Sequence, residues 1–141
     1  MIVVDTSVVY ALLDRRDNRH REARDWYESF AGELATTPLI LAELDHLVAA
    51  RAAGALQAFR ADVAAGAYSV EWWAAAAAQS VEIAEQYRDL GLSLADASLV
   101  ALAARLPTVT VATFDERRFR AVRPTHTAGG FTVVPADAGH G

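Results

Sequence analysis

Asp5, Glu43, Asp96 and Asp115 stand where a carboxylate is awkward. Asp5 follows the apolar run Ile2-Val3-Val4, and Asp115 follows the β-rich run Val109 to Phe114. Glu43 lies three residues after Ile40 and four before Leu47, while Asp96 precedes Leu99, Val100 and Ala103 at helical spacing. Both spacings put the acid on the apolar stripe of a predicted helix. A buried carboxylate is costly unless it is protonated, paired or bound to a cation. Four that converge imply Mg²⁺ or Mn²⁺, because hard cations take oxygen ligands and offset the repulsion within a carboxylate cluster. Such a site would support metal-assisted chemistry.

The elements that must position these acids follow from pattern. Residues 2–4 predict a short strand buried on both faces. Helices are expected from about Thr6 to Leu13 and from Arg19 to Phe30. Thr37 as cap and Pro38 at the first helical position open another, carrying Ile40, Leu44, Leu47 and Val48. Gly54 punctuates it, and a further helix runs to about Ala65. Tyr68 to Trp72 reads as a strand, and Ala74 to Tyr87 as a helix closed near Gly91. Ser93-Leu94-Ala95-Asp96 opens a helix that Pro107 stops, and Val109–Ala112 and Phe131–Val134 read as strands. Strands alternating with helices predict an α/β domain, with a mainly parallel central sheet and helices on both faces. Residues 1–134 are expected to form one domain and 135–141 a flexible tail. In such sheets the ligand site lies beyond the C-terminal ends of the strands, where Asp5 and Asp115 fall.

Each acid also has a local explanation. Asp5 could cap the helix starting at Thr6, and Asp115 one over 116–121. Ser93 to Asp96 fits a capping box. Glu43 could pair with an Arg, and Glu116 could replace Asp115. Thr6 and Thr113 could orient a carboxylate or make ordinary turn bonds. These local roles do not explain why all four acids fall on inward faces or strand ends.

Composition narrows the chemistry. The chain has 141 residues, 53% of them hydrophobic and 22% charged, as expected of one ordinary globular domain. No stretch approaches a membrane span, no signal peptide is expected before the first strand, and the lack of Cys fits an expected reducing cytoplasm. The absence of Cys excludes disulfides, thiol catalysis and Cys-based zinc sites. All 13 basic residues are Arg, which excludes Schiff-base chemistry and a P-loop lysine. Net charge is −5, yet Arg15, Arg16, Arg19, Arg21 and Arg24 cluster after Asp5, and Arg117, Arg118, Arg120 and Arg123 after Asp115. Those runs are either solvated faces or a phosphate-binding rim. His20, His46, His126 and His140 are expected at the surface, and Trp26, Trp72 and Trp73 in the core or an interface.

Asp5-Thr6-Ser7 after a strand, Glu43 after a Thr-Pro helix start, Leu92 to Ala97 opening a helix, and Thr113-Phe114-Asp115 before Phe119 resemble the PIN-domain nucleases. The small size is similar to the VapC-type toxins of bacterial toxin–antitoxin pairs. The resemblance covers residues 1–134. It implies a Mg²⁺- or Mn²⁺-dependent endoribonuclease with Asp5, Glu43, Asp96 and Asp115 as its site. It also implies an RNA substrate, a homodimer and a small cognate antitoxin, for which Trp26, Tyr27 and Leu44 offer an apolar footing. A PIN-type protein of RNA processing without a toxin role is the alternative. A receiver-type domain is disfavoured by the missing lysine. An Asp-nucleophile phosphatase is disfavoured because Ser7, not Asp, stands two residues after Asp5.

Overall fold

Ile2–Val4 form strand β1, and all three side chains are buried, as a parallel strand covered on both faces requires. The computed structural model describes residues 1–139. Helix α1 (Thr6–Leu13) follows Asp5 directly, and α2 (His20–Ser29) leads to strand β2 (Leu34–Thr36). Then come α3 (Pro38–Arg51), a short 3-10 turn, α4 (Leu56–Ala64) and strand β3 (Ser69–Val70). The second half holds α5 (Ala76–Gln86), a second 3-10 turn, α6 (Leu94–Arg105), β4 (Thr110–Ala112), α7 (Glu116–Ala121) and β5 (Thr132–Val134).

The sheet order is β3-β2-β1-β4-β5, and every pairing is parallel. Val3 of β1 aligns with Ala35 on one side and Val111 on the other. The chain therefore builds outward from β1 in both directions. The order reverses at β1, and the crevice beside it, at the C-terminal ends of β1 and β4, is the topological switch point. The Asp5 N–H continues the β1–β4 ladder by donating to Ala112 O at 2.9 Å.

The α/β class with a parallel sheet agrees with the sequence-based expectation, but β2 is an addition to it. It is three fully buried residues with no alternation, running straight into the Thr37 cap, so it carries neither a period-2 signal nor a turn signal of its own. The core gathers around Val3, Val4, Val8, Ile40, Leu44, Leu99, Leu102 and Phe119, all 1% exposed or less. Thr37 Oγ1 and Ser98 Oγ, both buried, lie 2.8 Å apart and tie the start of α3 to α6. Gly91 closes the turn before α6 with φ +72°, a conformation that favours glycine.

Residues 135–139 differ from the flexible tail expected there. Asp137 accepts from Val133 N at 2.8 Å and pairs with Arg120 at 2.8 Å, which fastens this turn to β5 and α7. His140 and Gly141, the rest of that expected tail, lie outside the described residues. No helix among the described residues is long and apolar enough to cross a membrane.

Candidate active site

The switch point is where the acids gather. Asp5 ends β1 in extended conformation and caps α1, its Oδ1 accepting from Thr6 N at 2.7 Å. Its Oδ2 accepts from Thr113 Oγ1 at 2.7 Å and lies 3.4 Å from Ser7 Oγ. Thr113 Oγ1 in turn accepts from Asp115 N at 3.0 Å, and Ser7 Oγ accepts from Phe114 N at 2.9 Å. Two hydroxyls thus lock the carboxylate after β1 to the loop after β4. Thr113 is a sequence-expected neighbour of the site. Ser7 is an addition, its hydroxyl accepting from Phe114 N of the loop after β4.

Asp96 sits in the first turn of α6, where the helix N-terminus favours a negative charge. Ser93 Oγ caps the helix by accepting from Asp96 N at 3.0 Å, while the Asp96 carboxylate turns instead to Arg118. Asp115 caps α7 by accepting from Arg118 N at 3.2 Å. Its neighbour Glu116 is drawn away to Arg120 at 2.9 Å, so Asp115 rather than Glu116 faces the site. The local capping roles of Asp5 and Asp115 are therefore real, and they coexist with convergence on one crevice.

Not all four acids point inward. Asp5 and Asp96 are buried, at 5% and 6% exposure, whereas Asp115 is half-buried and Glu43 is exposed. The buried stripe of α3 is Ile40, Leu44 and Val48, and Glu43 flanks it. It still reaches the site, because Thr6 Oγ1 donates to Glu43 Oε1. No Arg pairs with Glu43 among the described residues.

The electrostatics follow from this placement. Burial, then the neighbouring Asp96 and Glu43 carboxylates, push Asp5 up to about 7, against the hydrogen bonds from Thr113 and Thr6 that favour its ionised form. Arg118 is raised by its hydrogen bond to Asp96 and by the charges of Asp96, Asp115 and Asp5. It is the one guanidinium among the described residues paired with these acids, at 2.8 Å from Asp96 and 3.4 Å from Asp115. The donor set suits a hard cation, being all carboxylate and hydroxyl oxygen, with more negative charge than one Arg offsets. Among the described residues no three acidic or imidazole side chains close around a single point. Mutual repulsion and the bridging Arg118 both oppose such closure.

The basic residues divide into separate places. Arg15 and Arg16 line an open groove of about 640 Å³ with Arg51, over Leu12, Leu13 and Ala55. Arg51 belongs to neither sequence cluster, since it lies at the far end of α3. Arg19 pairs with Glu22 and lies over the Phe114 ring at 4.9 Å. Arg117 and Arg118 line a cavity of about 220 Å³ with Asp89, Leu90 and Asp115.

His46 and His126 are exposed as expected, and His140 lies outside the described residues. His20 is half-buried, its Nδ1 2.7 Å from Ala11 O. Trp26 is buried and stacks on Phe30, Trp72 is exposed, and Trp73 lies under Arg105. The apolar footing expected for a partner at Trp26, Tyr27 and Leu44 is not available as a unit. Trp26 and Leu44 belong to the core, and only Tyr27 is exposed.

Residues 2–123 match the PIN domain family. The chain is 37% identical over 136 residues to Ribonuclease VapC26 of Mycobacterium tuberculosis, covering 95% of this chain and 100% of that protein. The crystal structure of VapC20 from the same organism, described as a sarcin-ricin loop cleaving toxin, superposes with a TM-score of 0.78 at 25% identity, over 86% of this chain and 95% of that one. A toxin–antitoxin complex from Klebsiella pneumoniae has a chain of the same fold, with a TM-score of 0.65 at 22% identity over 86% of this chain and 92% of that one.

Proposed function

This chain belongs to the PIN-domain family, and on that premise we propose that it is an endoribonuclease of the VapC type, the toxin of a toxin–antitoxin pair. The observation that carries the proposal is the convergence of Asp5, Asp96, Asp115 and Glu43 at the switch point of a chain similar over nearly its whole length to a ribonuclease.

Asp5 and Asp96 would hold Mg²⁺ or Mn²⁺, with Glu43 and Asp115 completing its surroundings. When bound, such an ion supplies an activated water and offsets charge on the scissile phosphate. The protein's own residues do the positioning. Thr113 and Ser7 fix the Asp5 carboxylate, and Thr6 aims Glu43. Arg15, Arg16 and Arg51 present planar forks suited to bidentate phosphate contact, and they flank the groove beyond α1. The chemistry uses no His.

The partner is a small antitoxin, and the working form is a homodimer. Exposed Tyr27, Val70 and Trp72 are apolar positions left for such contacts. The test is cleavage and growth together. The purified protein should cut single-stranded RNA with Mg²⁺ or Mn²⁺ and stop in EDTA, and its overproduction should arrest growth until the neighbouring small gene is co-expressed. Robust cleavage in EDTA removes the metal mechanism. Harmless overproduction of an RNA-cleaving protein replaces the toxin role with RNA processing.

A further inference from the structure

We propose that Arg118 is a built-in counter-ion that must leave Asp96 before a divalent cation can bind, so that this side chain sets the metal affinity of the site. The proposal rests on the metal reading above.

The geometry carries it. Arg118 Nη1 donates to Asp96 Oδ2 at 2.8 Å, while its Nε lies 3.4 Å from Asp115 Oδ2. One guanidinium thus spans two of the four acids, Asp96 on α6 and Asp115 at the start of α7. A cation held by Asp96 would face that positive charge at hydrogen-bonding range, where like charges strongly oppose each other. Both cannot keep full contact with the same carboxylate oxygen.

Arg118 is also free to withdraw. Its side chain is 36% exposed, against 9% for that of Asp96, so it reaches the buried acid from the rim. The neighbouring Phe119, 1% exposed, anchors α7 in the core, and the Arg118 N–H is fixed on Asp115 Oδ1 at 3.2 Å. Departure therefore needs only side-chain rotation. The cavity of about 220 Å³ that Arg118 shares with Arg117 and Leu90 gives the guanidinium somewhere to go. Arg120, two residues on, shows the contrast. It is held by both Glu116 and Asp137 and touches no acid of the site.

A guanidinium that only packs α7 against α6 would not compete with metal. The two roles separate in a calorimetric titration of Mn²⁺ into metal-free, full-length protein. Wild type, Arg118→Gln and Arg118→Lys should be compared, with melting followed in parallel. Arg118→Gln should bind Mn²⁺ about tenfold more tightly than wild type, and Arg118→Lys should stay near wild type because it keeps the charge. Metal-free Arg118→Gln should melt below wild type, and the difference should shrink once Mn²⁺ is saturating. In wild type, the Arg118 Nη–H resonance, held on Asp96, should lose its protection from exchange as Mg²⁺ is added. Equal or weaker Mn²⁺ binding by Arg118→Gln, with Nη–H protection unchanged by Mg²⁺, overturns the counter-ion role while leaving the metal site intact. No Mn²⁺ binding by any of the three proteins overturns both.

Discussion

At one end of α1 the Asp5 carboxylate is held by Thr6, Ser7 and Thr113, while at the other end Arg15 and Arg16 face Arg51 across an open groove. The first end is buried, and its charge is set against its surroundings. The second forms no ion pair among the described residues and stands over an apolar floor of Leu12, Leu13 and Ala55. Eight residues of helix separate the two. The difference separates two kinds of work. On the proposed function, bond-breaking calls for carboxylates held in one arrangement, and holding a polyanion calls for cations that stay solvated and long.

If that division is right, substitutions at the two ends should fail in different ways. The largest effect is expected at Asp5. Asp5→Ala should lower single-turnover RNA cleavage by at least about a hundredfold, the scale seen when a group supporting the transition state is removed. Far-UV circular dichroism should show the protein still folded, because losing the Asp5 cap bonds is offset by removing a buried carboxyl that its surroundings disfavour. Activity near wild type would place the chemistry elsewhere.

Next in size is the positioning layer. Thr113→Val keeps the shape of the side chain but removes the hydroxyl that donates to Asp5 and accepts from Asp115 N. Removing such supporting bonds typically costs about 10–100-fold in metal affinity or activity. The expected result is a Mn²⁺ activation curve displaced to higher concentration, with RNA binding unchanged. An undisplaced curve would make the Thr113 hydrogen bond an ordinary turn bond.

The cost of burying the Asp5 charge should also be visible in stability against pH. Asp5 is held at about 7 in the fold, above its ordinary value of 3.8. A carboxyl raised on folding takes up its proton more readily in the native state, so its favourable contribution is complete below the unfolded value. That contribution is lost as pH rises from about 4 to 7. Metal-free wild type should lose several degrees of melting temperature across that range relative to Asp5→Asn, which does not titrate. Parallel curves for the two proteins would remove Asp5 as a source of that cost.

The smallest effects belong to the basic end. Arg15→Gln with Arg16→Gln should weaken RNA binding a few-fold and lessen its salt dependence, by a slope of roughly 0.7 for each phosphate of single-stranded RNA that is no longer neutralised. Cleavage at saturating RNA should be unchanged. Unaltered binding and salt slope would make this groove a solvated face.

Much of this is legible in the sequence, and the failures have physical reasons. Asp5 and Asp96 are readable because burial follows from strand ends and helical period, and both are buried. The same rule misplaces Glu43. At the edge of a stripe, period alone does not separate a side chain that enters the core from one that skirts it, and Glu43 skirts it to reach Thr6. Arg118 cannot be placed from sequence, because its partner Asp96 is 22 residues earlier and on another helix. Ser7 and Arg51 escape sequence reading for the same reason, since tertiary packing rather than local spacing brings Ser7 to Phe114 N and Arg51 to the groove of Arg15 and Arg16. Trp26 and Leu44 resemble partner-binding positions because apolar helix residues look alike until the core claims them.

Whether the acids at the switch point form one metal site is decided by calorimetric titration of Mn²⁺ into wild type and Asp96→Asn, each prepared metal-free and checked for folding. Asn removes a charge and one ligand while keeping the shape. Asp96→Asn should bind at least about tenfold more weakly, with a smaller metal-dependent rise in melting temperature. Equal affinity and an equal rise in the two proteins would contradict the metal site.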